Sequence, residues 1–301
     1  MYDLIILGGG PAGLTAAVYA IRKRLNVLLI SPDLGGKTAW RLELPDNLER
    51  FQAINGDELV TRFKTQVEHL DFVYMTEKAE KVQVNGNGYS ILTREGHSYQ
   101  TKTILVATGT RAVPLNVPGE SKYRLRGLAY SAVSYAPLFI DRVAAVVGGG
   151  ELGNKSALEL AQVARQVYLI VPDSSALDTP AGRKLLTAKN VIVLDGYAIK
   201  EIKGDETYAR SLVVSKGDLV DELQVDVTFV ELELTPNSEC VAGLVKTNDK
   251  KQIVVDSYNR TSRPGIFAAG DVTDIYAEQV LICIGEGAKA ALSAYELILS
   301  T

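Results

Sequence analysis

Two short apolar runs in this chain each end in a glycine-rich hexapeptide and then give way to residues at helical spacing. The first is Tyr2-Asp3-Leu4-Ile5-Ile6-Leu7, followed by Gly8-Gly9-Gly10-Pro11-Ala12-Gly13, a helix expected over Leu14–Arg24 and a strand over Asn26–Ile30. The second is Val143–Val147, followed by Gly148-Gly149-Gly150-Glu151-Leu152-Gly153, a helix over Ser156–Ala164 and a strand over Gln166–Val171. In such a loop Gly8 permits the tight turn, Gly10 lets backbone approach a pyrophosphate, and Gly13 lets helix and strand pack closely. The helix N-terminus favours the anion. A lone glycine loop is a weak signal, but here each one stands after a strand and before a helix, which is the context a nucleotide site needs.

Between the two units, residues 72–106 alternate apolar and polar positions, with turn signals at Asn85-Gly86-Asn87-Gly88 and Glu95-Gly96. This pattern predicts a small antiparallel sheet closed by a strand over Thr103–Ala107. A proline-containing linker at Val113–Gly119 marks one crossing between domains, and a second is expected near Gly243, before a strand over Gln252–Val255. A chain of 301 residues exceeds the size at which one hydrophobic core stops growing. The fold expected is therefore α/β, with two Rossmann-like three-layer nucleotide-binding domains, the second inserted into the first. The first would take residues 1–116 and 243–301, and the second residues 117–242.

Charge and composition exclude several partners. The net charge is -4, from 32 basic and 36 acidic residues spread along the chain, so neither a nucleic-acid patch nor a membrane-binding stripe is present. With no bilayer-spanning run and no cleavable leader pattern, a cytoplasmic location is expected. Cys240 and Cys283 are far apart in apolar surroundings and read as buried thiols rather than a disulfide or zinc site. His69 and His97 are isolated, so no metal site is expected.

After the first loop, Ser31 and Asp33 are both candidates to accept a ribose hydroxyl bond. Further segments then make a specific string: Gly35-Gly36, Ala107-Thr108-Gly109, Val117-Pro118-Gly119-Glu120, Thr235-Pro236-Asn237-Ser238, Gly265-Ile266-Phe267-Ala268-Ala269-Gly270-Asp271 and Gly285-Glu286-Gly287. Together with the two glycine loops, this string resembles the low-molecular-weight thioredoxin reductase family, within the pyridine nucleotide-disulfide oxidoreductase group, nearly end to end. The resemblance implies FAD in the first domain, with Asp271 bonding the ribitol chain and Gln279 and the Val280 backbone near the flavin pyrimidine. Gly8, Gly10, Pro11, Ala12, Gly13, Gly36, Lys37, Ala107, Thr108, Gly109 and Gly270 would complete that site. An Asp after an apolar strand and just before a helix can accept a hydroxyl bond, or can simply cap the helix.

The departures bear on function. The resembled family has two cysteines and an acid where this chain has Ser131, Ser134 and Tyr135, so dithiol reduction of thioredoxin is not expected. It also places a basic cluster where this chain has Val171-Pro172-Asp173, with no basic residue until Arg183. Asp173 would repel a 2′-phosphate and can accept a ribose diol, which disfavours NADPH. The second site, built from Gly148, Gly150, Glu151, Leu152, Gly153 and Asp173, is then open to NADH or a second FAD, or is an empty vestige. Asn154 and Lys155 replace usual acidic residues, Lys37 replaces Gln, and Glu278 replaces Arg. Trp40 and Tyr135 are candidates to stack on the flavin ring or to pack an interface.

These readings give an FAD-dependent oxidoreductase that exchanges electrons with a carrier such as ferredoxin, with NADH or with a second flavin. A homodimer is implied by the resemblance. Two alternatives stand beside it: a non-catalytic flavin-binding sensor or regulator, and an NADPH-dependent thioredoxin reductase with an unrecognised thiol pair.

Overall fold

A computed structural model describes residues 1–39, 42–43, 56–69, 74–130 and 132–300. The chain forms two compact units, one of residues 1–40, 54–111 and 235–301, the other of residues 41–53 and 112–234. The divisions fall before the expected 116/117 and 242/243. Asn237 is already bonded to Thr108 and Gly109 of the first unit. The proline linker belongs to the second unit, where the Glu120 carboxylate accepts the Leu115 and Asn116 N–H groups at 2.9 and 2.7 Å.

In the first unit, Tyr74–Met75, Val27–Ile30, Tyr2–Leu7 and Ser98–Val106 lie side by side in parallel. The other edge of Ser98–Val106 pairs antiparallel with Gly88–Thr93 over its first half and parallel with Ile266–Ala268 over its second. The expected antiparallel sheet is thus continuous with the parallel one, and Tyr74–Met75 joins the parallel part. Side chains alternate along Tyr2–Leu7. Leu4 and Ile6 enter a core with the helices Pro11–Arg22, Gly56–His69 and Val280–Ser300, while Ile5 and Leu7 enter a second core with Val82, Ile91, Val241 and Ile253. A strand buried on both faces reads as a continuous apolar run, which is the Leu-Ile-Ile-Leu of the sequence. Each such side chain contributes about 1.5–3 kcal/mol by leaving water.

The first helix ends at Arg22 rather than Arg24, because Arg24 adopts a left-handed φ of 59°. The strand expected over Gln252–Val255 is reduced to isolated bridges from Ile253 to Thr247 and Thr273.

The second unit repeats the pattern. Its parallel strands run in the order Val191–Asp195, Gln166–Val171, Val143–Val147, Val227–Val230 and Leu128–Ala129. Ala144 and Val146 face a core with Ala157 and Leu160 of the helix Gly150–Leu160, which starts directly on the glycine loop. Ala145 and Val147 face Ile202, Leu212 and Val214 of a three-stranded antiparallel sheet, so the third layer here is a sheet. In each unit the glycine loop follows the strand whose two neighbours lie on either side of a reversal in strand order. That is the switch point at which doubly wound sheets take ligands.

Candidate functional site

The first loop is built by close backbone approach. A Cβ on Gly13 would lie 1.8 Å from the Gly8 carbonyl oxygen, and one on Gly8, at φ 108°, would lie 2.3 Å from the Ala107 carbonyl oxygen. At Gly10 and Gly109 an added Cβ meets nothing within 4 Å, so these two backbones border open space. The helix Pro11–Arg22 begins there with Gly10 as N-cap and no side chain capping it, which leaves the helix start to an outside acceptor. Ser31, buried, uses its Oγ to accept the Gly9 N–H at 2.8 Å, and exposed Asp33 accepts the Gly36 N–H at 3.2 Å. Both ribose candidates therefore help shape the loop.

In the same unit, Asp271 stands after Ile266–Ala268, while the long helix begins only at Val280. Asp271 is consequently not the helix cap considered from sequence. Its Oδ2 accepts the Lys37 ammonium at 2.7 Å and its Oδ1 accepts the Cys283 thiol at 3.0 Å. Lys37 Nζ also donates to Thr110 Oγ1 at 2.7 Å and reaches Glu278 Oε2 at 3.3 Å. Burial works against the Lys37 charge, but attraction to Asp271 and Glu278 outweighs it and holds the ammonium's pKa above its ordinary value. Glu278 is raised by burial, with Lys37 opposing that shift and Asp271 adding to it. The Cys283 thiol is raised by burial and by the Asp271 charge, so it is a donor and not a nucleophile.

Sequence reasoning missed Thr110 and Cys283 as members of this cluster, although Thr110 directly follows the Ala107-Thr108-Gly109 motif. Glu278 was visible only as a departure. Gln279 is exposed, and Val280 packs on the helix-side core. Thr108 Oγ1 donates to the Asn237 carbonyl at 2.6 Å and Asn237 Nδ2 donates back to the Thr108 carbonyl at 2.9 Å, which joins two of the motif segments.

In the second unit a Cβ on Gly153 would lie 2.4 Å from the Gly148 oxygen, whereas Gly150 has open space. Glu151 pairs with Lys155 at 2.6 Å along the same helix that carries Leu152. Asn154 is fully buried, with its Nδ2 donating to the Ala176 oxygen and Thr179 Oγ1 at 2.8 and 2.9 Å. Asp173, exposed at the end of Gln166–Val171, accepts the Ser175 N–H at 2.9 Å and the Ser175 hydroxyl, and these bonds hold its carboxyl below the ordinary range. It is an anion at neutral pH.

The family model for pyridine nucleotide-disulphide oxidoreductases matches residues 2–293. The chain belongs to that family. It is similar to the alkyl hydroperoxide reductase F subunit of Pseudomonas putida, at 35% identity over all of this chain and 59% of the relative. It is 32% identical to an NADH dehydrogenase of Bacillus subtilis (strain 168), over 99% of this chain and 59% of that protein. The chain thus spans about three fifths of the length of these curated relatives. The crystal structure of thioredoxin reductase from Streptococcus pyogenes MGAS5005 superposes with a TM-score of 0.88 and 30% identity, covering 100% of this chain and 99% of that one. Members of the pyridine nucleotide-disulphide oxidoreductase family generally bind FAD and NAD(P)H, and as one of them this chain is an oxidoreductase at the level of class.

The segment after Leu128–Ala129 carries Ser131, Ser134 and Tyr135. Ser131 and Trp40 lie outside the described residues, as does the side chain of Ser134. Tyr135 packs against the helix-side core of the second unit. Buried Glu231 accepts the Ala132 N–H at 2.6 Å, a contact no sequence motif announced. Tyr130 donates to Glu120 Oε1 at 3.1 Å. Cys240 and Cys283 are buried free thiols in the two cores on opposite faces of the first sheet. Burial and the neighbouring Glu239 push Cys240 up to about 12. Among the described residues no three His, Cys, Asp or Glu side chains gather into a metal site, and no helix is long and apolar enough to cross a membrane.

Proposed function

We propose that the first unit binds FAD and that the chain moves electrons through it between NADH, or a second bound flavin, and a small redox carrier such as ferredoxin, without dithiol exchange. The observation that carries this reading is the pairing of an open glycine cradle at Gly10 and Gly109 with the Asp271 carboxylate in one unit. A pyrophosphate fits the uncapped helix start at Pro11, and a ribitol hydroxyl fits Asp271. Bound FAD would supply hydride acceptance and onward electron transfer.

The chain's own residues set the limits. Gly8, Gly10, Pro11, Ala12, Gly13, Ala107, Thr108, Gly109, Gly270 and Asp271 would hold the flavin, with Gly36, Lys37, Gln279 and Val280 around it. Ser31 and Asp33 would support the ribose side through the loop. In the second unit Gly148, Gly150, Glu151, Leu152 and Gly153 would meet a second nucleotide, and anionic Asp173 selects a ribose diol over a 2′-phosphate. Serines at 131 and 134 provide no thiolate. The names of the two curated relatives support an oxidoreductase, and the thioredoxin reductase likeness supports a homodimer. The same serines favour the second reading, a flavin-binding protein that does not turn over.

Absorbance of the purified protein gives the flavin-to-chain ratio, and anaerobic additions of NADH, NADPH and reduced ferredoxin then name the donor. Bleaching by NADH or ferredoxin is expected. Rapid bleaching by NADPH with disulfide reduction would sink the proposal, and a flavin untouched by all three donors gives the second reading.

A further inference from the structure

We propose that Lys37 is a built-in competitor for Asp271, so that flavin loading displaces its ammonium and is coupled to proton uptake at Glu278. The inference rests on the flavin reading of the first unit. Asp271 is 9% exposed, and both carboxylate oxygens already have donors: the Cys283 thiol on Oδ1 and the Lys37 ammonium on Oδ2. Each oxygen can accept a second bond, but with Asp271 only 9% exposed an incoming hydroxyl competes with these donors for room. Cys283 is fixed one turn inside the helix Val280–Ser300 and is 6% exposed. Lys37 sits on the single turn Gly36–Ala39 at the end of a flexible four-carbon stem, with its side chain 36% exposed. Lys37 is the partner that yields.

Its departure changes the charge balance. The titratable groups facing Glu278 are Lys37 from that turn and Asp271 from beyond the strand end, with Cys283 of the helix that follows reaching the cluster through Asp271; the Thr110 hydroxyl adds a neutral contact at 3.4 Å. While Lys37 stays, one cation answers two carboxylates. Without it, Glu278 keeps the Thr110 contact and the repulsion of Asp271, and that repulsion pushes its side chain, 30% exposed, toward the neutral form. Asp271 retains a thiol and gains a hydroxyl as donors, which favour its anion, so the proton goes to Glu278.

The test is calorimetric titration of FAD into the apoprotein near pH 7, in buffers of different ionisation enthalpy. The wild type is expected to take up about one proton per FAD bound. Glu278→Gln and Lys37→Gln should bind FAD with that uptake lost, and Lys37→Arg should keep it. Binding by the wild type without uptake, or uptake that persists in Glu278→Gln, overturns this inference alone. Absence of FAD binding by the wild type overturns the flavin reading and this inference with it.

Discussion

A methyl group on Gly13 would lie 1.8 Å from the carbonyl oxygen of Gly8, whereas the same addition at Gly10, three residues earlier, touches nothing within 4 Å. The two glycines are required for different reasons. Gly13→Ala forces helix and loop apart and should cost about 3 kcal/mol or more, read as a lowered urea midpoint. Gly10→Ala should leave stability within about 1 kcal/mol and weaken FAD binding by about tenfold or more, because its methyl enters the space proposed for the ligand. Equal loss of stability in both variants would show that the cradle is structural only.

The proposed second nucleotide site should discriminate by charge. Replacing Asp173 with Ala removes an exposed anion that accepts two bonds from Ser175 and leaves Gly148 to Gly153 untouched. The NADH over NADPH preference, followed by fluorescence titration, should fall by about tenfold. An unchanged ratio would place selectivity elsewhere.

Burial, together with the charge and hydrogen bond of Glu120, pushes the Tyr130 phenol up to about 12. The folded value lies above the ordinary value of about 10, so the contribution is complete below about pH 10 and is lost as pH rises toward 12. Tyr130→Phe should lower stability by about 0.5–1.5 kcal/mol at neutral pH, and the gap between wild type and variant should close in that alkaline window. Denaturant titrations at several pH values check this; a gap that widens above pH 10 contradicts it.

Asn259 is fully buried at a left-handed φ of 60°, and its Nδ2 donates to the Ala268 oxygen at 2.9 Å and to Glu286 Oε2 at 2.6 Å. It ties the strand that leads to Asp271 to the C-terminal helix. Asn259→Ala should cost about 2–4 kcal/mol, combining the lost bonds with backbone strain. Asn259→Gly should cost about 1 kcal/mol less, because glycine accepts that φ freely. Thermal unfolding of the pair separates the two causes.

Both βαβ units were legible because apolar runs buried on two faces and glycine loops are local patterns. The same holds for the hairpin at Asn85–Gly88, where turn chemistry and alternation coincide. Residues near element ends were less so: Arg24 breaks its helix through a backbone angle that its side chain does not announce, and Ile253 forms bridges without a full strand. The Asp271 cluster could not be read from spacing at all. Lys37, Thr110 and Cys283 come from a turn, a strand start and a helix, and only the sheet topology brings them together. Ser31 shows the converse case, since its position suggested a ligand while its hydroxyl accepts the Gly9 N–H.

The Thr108 and Asn237 clasp also bears on how such a chain can be recombined. The Asn237 N–H donates to the Gly109 carbonyl at 2.9 Å, so the points at which the chain leaves and re-enters the first unit are already sewn together. Residues 112–234, which form the other compact unit with 41–53, begin and end beside that clasp. A long insertion whose two ends are moored side by side can be swapped as a cassette while the host sheet keeps its strand order.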